Sequence, residues 1–171
     1  MQLKQPTVSS IKTKLGGVYW AREVETSSVL PEAKYNVLWL FPSGRFRYIF
    51  CYPGYTWMTA SGAWHSAKGV IHCRGASSSF TDDFTDNHSN RSYTAIFRQH
   101  EDGHSLAPVG RSTGLLTRLD LNEPAKKALL LEEQLVPTHW TDFQSLMWQI
   151  EKQMGIKQAG PPTFLSKGST E

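Results

Sequence analysis

The stretch from Tyr35 to Tyr52, YNVLWLFPSGRFRYIFCY, most narrows what this chain can fold into. Its two arms, Tyr35 to Phe41 and Arg45 to Tyr52, are rich in aromatic and branched side chains that alternate or run apolar, which is the chemistry of strands. Pro-Ser-Gly divides them. Pro42 brings the fixed φ of a turn's second position, and Gly44 can take the left-handed conformation that a three-residue hairpin loop requires. With that loop Phe41 faces Arg45, so Leu38 and Leu40 share a face with Phe46, Tyr48 and Phe50. That face is the candidate interior. Trp39 then falls on the other face beside Arg45 and Arg47, where an exposed guanidinium stacked on indole contributes ~0.5 to 1 kcal/mol. A four-residue loop reverses the assignment and places Trp39 and Tyr35 inside with Tyr48.

More strands flank this hairpin. Gly17 to Glu25 alternates Val18, Trp20 and Val24 against Tyr19, Glu23 and Glu25, the pattern of a half-buried strand. Thr56 to His65 places Met58, Ala60, Gly62 and Trp64 on one face, with Gly62 permitting a bend. Lys68-Gly69 turns the chain into a short strand, Val70 to Arg74. Gly75 to Arg91 reads as a long polar loop holding Phe80 and Phe84, and loops of that length are usually functional or disordered. Ser92 to Gln99 returns to strand pattern with Tyr93, Ala95 and Phe97 aligned. Asp102-Gly103 is a tight turn, followed by weaker strands at Ser105 to Val109 and Leu115 to Leu121.

The period then changes. Asn122-Glu123-Pro124 opens a helix to about Val136, and Pro137 ends it. Thr141-Asp142-Phe143-Gln144 is a capping box, after which Phe143, Leu146, Met147, Ile150 and Met154 follow at helical spacing to a stop at Gly155. This amphipathic helix must pack on something. The expected organisation is a flexible arm over 1–14, one domain over 15–155 and a disordered tail over 156–171.

Length and charge narrow the class. A chain of 171 residues buries enough surface for one core without staples. The net charge is +3, but Lys and Arg are spread along the sequence rather than gathered, so no nucleic-acid partner is expected. The first residues carry no apolar leader and no run of about eighteen apolar residues occurs, so a cytoplasmic protein with no membrane partner is expected. Cys51 and Cys73 each lie in a candidate strand and read as buried thiols.

About eight antiparallel strands followed by C-terminal α-helices make a mainly β chain with the order of a small closed barrel. It resembles the lipocalin-like (calycin) β-barrels. The resemblance rests on Gly17-Val18-Tyr19-Trp20, on Ser43-Gly44-Arg45-Phe46 followed by Gly62-Ala63-Trp64, and on Arg118 in the last strand. In that family a glycine and tryptophan opening the first strand pack against an arginine near the last and close the barrel floor. The spacing here, Gly17-x-x-Trp20, is one residue longer than the family's pattern.

The resemblance implies a cup that holds one small hydrophobic molecule, lined by Leu38, Phe46, Tyr48, Phe50, Met58, Trp64, Tyr93 and Phe97. A filled barrel, in which those side chains pack only on each other, is the alternative. Lipocalin-like barrels also include cofactor-independent cyclases and isomerases, for which Tyr48, Tyr93 and Arg118 would be the polar, catalytic handles. A third reading is an inhibitor or immunity-type protein whose protein partner docks on the 75–91 loop, with Phe80 and Phe84 as apolar contacts in a polar rim.

Motifs for other chemistry fall away on local grounds. His100-Glu101-Asp102-Gly103-His104 spells a zinc-peptidase motif, but that chemistry needs a helix, and Asp-Gly between strands favours a turn. His65 and His72 can meet across a hairpin, yet a metal needs three or four converging ligands, so no metal is expected. No Gly-x-Ser-x-Gly elbow and no Gly-rich phosphate loop occurs, so no cofactor is expected.

Overall fold

The protein's structure, a computed structural model, describes residues 14–24, 33–51, 56–81, 91–110, 114–120, 147–148, 150–152 and 155–156. Eight strands follow in order: β1 (Gly17–Val24), β2 (Ala33–Leu40), β3 (Arg45–Cys51), β4 (Thr56–Ala67), β5 (Val70–Thr81), β6 (Arg91–Gln99), β7 (Ser105–Pro108) and β8 (Leu116–Arg118). Each pairs antiparallel with the next, and β8 returns to β1, so the sheet closes into a barrel without a free edge. The helix predicted over 123–136 lies outside the described residues, as do the Thr141 capping box, the first turn of the helix it opens, and most of the arm and tail. Lys14 and Leu15 are helical. No helix among the described residues is long and apolar enough to cross a membrane.

The Tyr35–Tyr52 hairpin forms with the three-residue loop. Leu40 lies opposite Phe46 and Leu38 opposite Tyr48. The Phe41 amide donates to the Arg45 carbonyl at 2.9 Å, and the Gly44 amide to the Phe41 carbonyl at 2.9 Å. Gly44 has φ of 90°, the left-handed conformation that the loop demands.

The barrel differs from the sequence reading at β5, which runs on to Thr81 where a loop was expected from Gly75. Its second half, GASSSFT, has little strand propensity of its own. Pairing supplies what propensity lacks: β4 flanks it as far as Thr81, and β6 from Gly75 to Ser77. Of the segment expected to take a protein partner, Gly75–Thr81 is therefore strand, and 82–90, with Phe84, lies outside the described residues. Gly62 lies opposite Gly75 at a point where the two strands come very close. A Cβ at Gly75 would sit 1.9 Å from the Ser61 carbonyl oxygen, so only glycine fits this corner.

Two cores lie on either side of the barrel wall. The interior holds Leu38, Leu40, Phe46, Tyr48, Trp64, Ile71 and Phe97, among others. The second lies outside β1 to β3, where Val18, Trp20, Val37, Trp39 and Ile49 pack with Leu119 and Met147, and Ile150 and Ile156 border them. Met147, Trp148, Ile150, Glu151 and Lys152 are helical. Gly155 ends that helix at φ of 71°, its amide donating to the Lys152 carbonyl while the Ile156 amide reaches the Glu151 carbonyl at 3.0 Å. This paired closure returns Ile156 to the apolar layer. Trp39 thus differs from the exposed stacking partner of Arg47 that was expected: it is buried beneath the helix face. The alternation was right, but the outward face of this hairpin is covered rather than wet.

Candidate functional site: the barrel interior

All eight side chains predicted to line a cup belong to the interior cluster. Leu38, Phe46, Tyr48, Trp64, Tyr93 and Phe97 are buried in it, and Phe50 and Met58 are half-buried against it. Strand alternation brings them together, since residues two apart on each strand share a face.

One end of the interior is closed by hydrogen bonds to backbone. The Trp64 indole donates to the Phe41 carbonyl at 2.9 Å, and the Tyr19 hydroxyl to the Leu15 carbonyl at 2.9 Å. Burial raises the Tyr19 pKa, with Arg118 pulling the other way. Arg118 donates to the carbonyls of Lys14 at 3.0 Å and Gly16 at 2.5 Å, and its guanidinium lies 5.9 Å from the centre of the Tyr19 ring. A Cβ on Gly17 would fall 3.0 Å from Arg118 Nε, so the glycine makes room for the guanidinium. Arg118 therefore ties the 14–16 segment across the floor. Trp20, expected to pack on this arginine, instead points outward and stacks on Tyr35 at 6.1 Å and 15°. Residues 17 and 19 share the inner face of β1 and residue 20 does not, so Tyr19 takes the position beneath Arg118.

Away from that floor the lining becomes smaller and more polar. Ala21 and Ala60 replace the large side chains, and Phe50 and Met58 are only half-buried. At the rim Lys34 Nζ pairs with Glu23 at 3.3 Å and lies 5.4 Å from the Phe50 ring centre. Between rim and floor sits Asn36, 1% exposed. The Tyr48 hydroxyl donates to Asn36 Oδ1 at 2.6 Å, and the Tyr48 ring lies 5.9 Å from that of Tyr93. Asn36 Nδ2 is buried with no hydrogen-bond partner among the described residues. A buried donor left unpaired costs ~1 to 3 kcal/mol. Asn36 is the polar group in the lining that the sequence reading passed over; its signal was its place in the same alternation as Leu38 and Leu40, where an apolar residue was due.

Cys73 is a free buried thiol in the same wall, pushed up to about 12 by burial. A thiol so placed is inert. The other candidate constellations do not converge. His100 to His104 form a turn, with Asp102 Oδ1 accepting from the amides of His104 at 2.8 Å and Ser105 at 2.7 Å. A hydrogen bond from the Ser105 side chain, then those from the His104 and Ser105 amides, lower the Asp102 carboxyl to about 2. His65 and His72 do meet across β4 and β5, 4.9 Å apart and within 6° of parallel, so the rings stack rather than aim at a common point. Among the described residues no three His, Cys, Asp or Glu side chains are grouped to hold a metal.

In comparison with known proteins, no family model, no curated protein and no solved structure matches the chain. The site must be read from its own chemistry.

Proposed function

We propose that the protein binds one small hydrophobic molecule inside a lipocalin-like barrel, with a hydrogen-bond acceptor of that molecule seated on Asn36 Nδ2. The observation that carries this is the buried amide itself, unpartnered at Nδ2 and fixed through Oδ1 by Tyr48. Ligand sites have this composition: apolar walls and a few placed polar groups that set orientation. The small side chains of Ala21 and Ala60 near the amide favour room for a guest there, whereas the floor is filled. We read the protein as cytoplasmic, which the unpaired Cys73 thiol supports.

The test is native mass spectrometry of protein purified from its own host, beside a denatured control, on wild type and on the double variant Asn36→Leu/Tyr48→Phe. Replacing both partners of a buried hydrogen bond by apolar groups is nearly neutral for stability, so the fold is retained. Wild type is expected to carry a stoichiometric small molecule that the double variant lacks or holds at least about tenfold more weakly. A bare wild-type mass, or a double variant that holds the molecule equally well, overturns the reading.

A further inference from the structure

Basic residues that are scattered in the sequence meet on one outer wall of the barrel. On β3 to β6 the residues facing away from the interior include Arg45, Arg47, Arg74 and Arg98 with His65 and His72. Arg45, Ala63, Arg74 and Thr94 form one continuous cross-strand row, which puts the two arginines roughly 10 Å apart. Arg47, Ser61, Ala76 and Ser92 form the next row. Among the described residues this wall carries no Asp or Glu. The described acids lie elsewhere: Glu23 at the rim, Glu101 and Asp102 in the β6–β7 turn, Asp120 after β8 and Glu151 on the C-terminal helix.

The wall is exposed where its charge is greatest. Arg74 and Arg98 are exposed and enter no ion pair among the described residues, and Ser61, Ala63, Ala76, Ser92 and Thr94 around them are exposed too. Arg47 is half-buried with its Nε unpartnered among the described residues. Burial lowers its pKa. The helix residues Met147 and Ile150 pack with the outer face of β1 to β3.

We propose that this wall is a docking face for the acidic surface of a partner protein. Charge complementarity identifies the partner: exposed Arg74 and Arg98, on a wall with no carboxylate among the described residues, are satisfied by carboxylates of a second surface, and the planar guanidinium fork pairs with them in a bidentate way. The small side chains between the arginines let a second surface approach closely. The outward positions immediately around the arginines, Ser61, Ala63, Ala76, Ser92 and Thr94, offer no amide to read base edges. They also lack the broad apolar face with which a helix or sheet enters a membrane interface. Four strands span roughly 19 Å, so the wall offers roughly 400 Å², about half of one side of a standard protein interface. Such a contact is transient and salt-sensitive.

The experiment uses the full chain and three fluorescent probes: poly-L-glutamate for carboxylates, a duplex DNA oligomer for phosphates and phosphatidylserine vesicles for a lipid surface. Wild type is expected to bind poly-L-glutamate most tightly of the three, and more weakly as salt rises. Arg74→Glu/Arg98→Glu should weaken that binding by about tenfold or more, because like charges then face the probe. Lys14→Glu/Lys152→Glu makes the same change in formal charge, +3 − 4 = −1, at exposed sites off the wall and should alter binding by less than about twofold. Arg74→Gln/Arg98→Gln replaces the reversal if that variant melts early, and a partial loss is then expected. Equal losses from both pairs, tighter binding of DNA or vesicles, or no binding of poly-L-glutamate by wild type each overturn the proposal.

Discussion

Glu151→Ala tests how the C-terminal helix is held to the barrel. The Glu151 side chain is 6% exposed and accepts from Arg22 Nε, whose side chain is 23% exposed. The Tyr35 hydroxyl donates to the same oxygen at 2.5 Å. A hydrogen bond to a charged acceptor contributes ~1.5 to 3 kcal/mol. The Arg22 pair adds less, ~0 to 1 kcal/mol, because its guanidinium keeps contact with water that screens it. Losing both gives an expected destabilisation of ~2 to 4 kcal/mol, which for a chain of this length lowers Tm by roughly 5 to 15 °C. Urea unfolding followed by tryptophan fluorescence is the assay, since Trp20 and Trp39 lie in the layer beneath the helix. Tyr35→Phe, alone and combined with Glu151→Ala, closes a double-mutant cycle expected to show ~1 kcal/mol of coupling. A loss below about 1 kcal/mol with no coupling would mean that Met147, Ile150 and Ile156 hold the helix unaided and that the reasoning from the buried carboxylate is wrong.

Two further outcomes follow from the same geometry. Gly75→Ala places a methyl 1.9 Å from the Ser61 carbonyl and 2.8 Å from Gly62 Cα, backbone atoms that cannot rotate aside, so a loss of ~3 kcal/mol or more is expected in chemical denaturation. Gly114→Ala, which meets nothing within 4 Å, should cost less than ~1 kcal/mol and serves as its control. Alkali should unfold the protein early: burial raises Tyr35 and Tyr19, and lifts Cys73 from 9.0 to about 12. Groups with raised folded pKa values contribute stability that is full below their unfolded values and lost as pH rises through and beyond them, so Tm should fall from about pH 9 upwards. Tyr35→Phe should flatten that fall, and a wild-type Tm unchanged between about pH 9 and 11 would refute the assignment.

The sequence told parity better than it told cover. Pro42 and Gly44 set the loop, the loop set the register, and from the register the inward set of the central hairpin followed without error. The same alternation could not say which outward positions would be wet, because Trp39 and Trp20 are buried by a helix more than a hundred residues further on. Residues 75–81 failed for the opposite reason. GASSSFT has no strand preference that a local reading could detect, and its conformation comes from the strands beside it. Asn36 was visible as an oddity, a polar residue where alternation called for an apolar one, but its meaning depends on the absence of a partner for Nδ2, which only packing reveals.

Charge shows the same limit most clearly. Judged by spacing along the chain, Arg45, Arg47, Arg74 and Arg98 are unremarkable, separated by up to two strands and a turn. A closed antiparallel sheet converts that spacing into adjacency, because odd positions of β3 and β4 and even positions of β5 and β6 all point the same way. Among the described residues no acid lies on this wall, so a chain whose net charge is only +3 gathers four arginines on one face. Linear clustering is therefore the wrong criterion for a barrel. The quantity that governs association is charge per wall, and it can be computed from the sequence once the register of a single hairpin is known and propagated around the sheet.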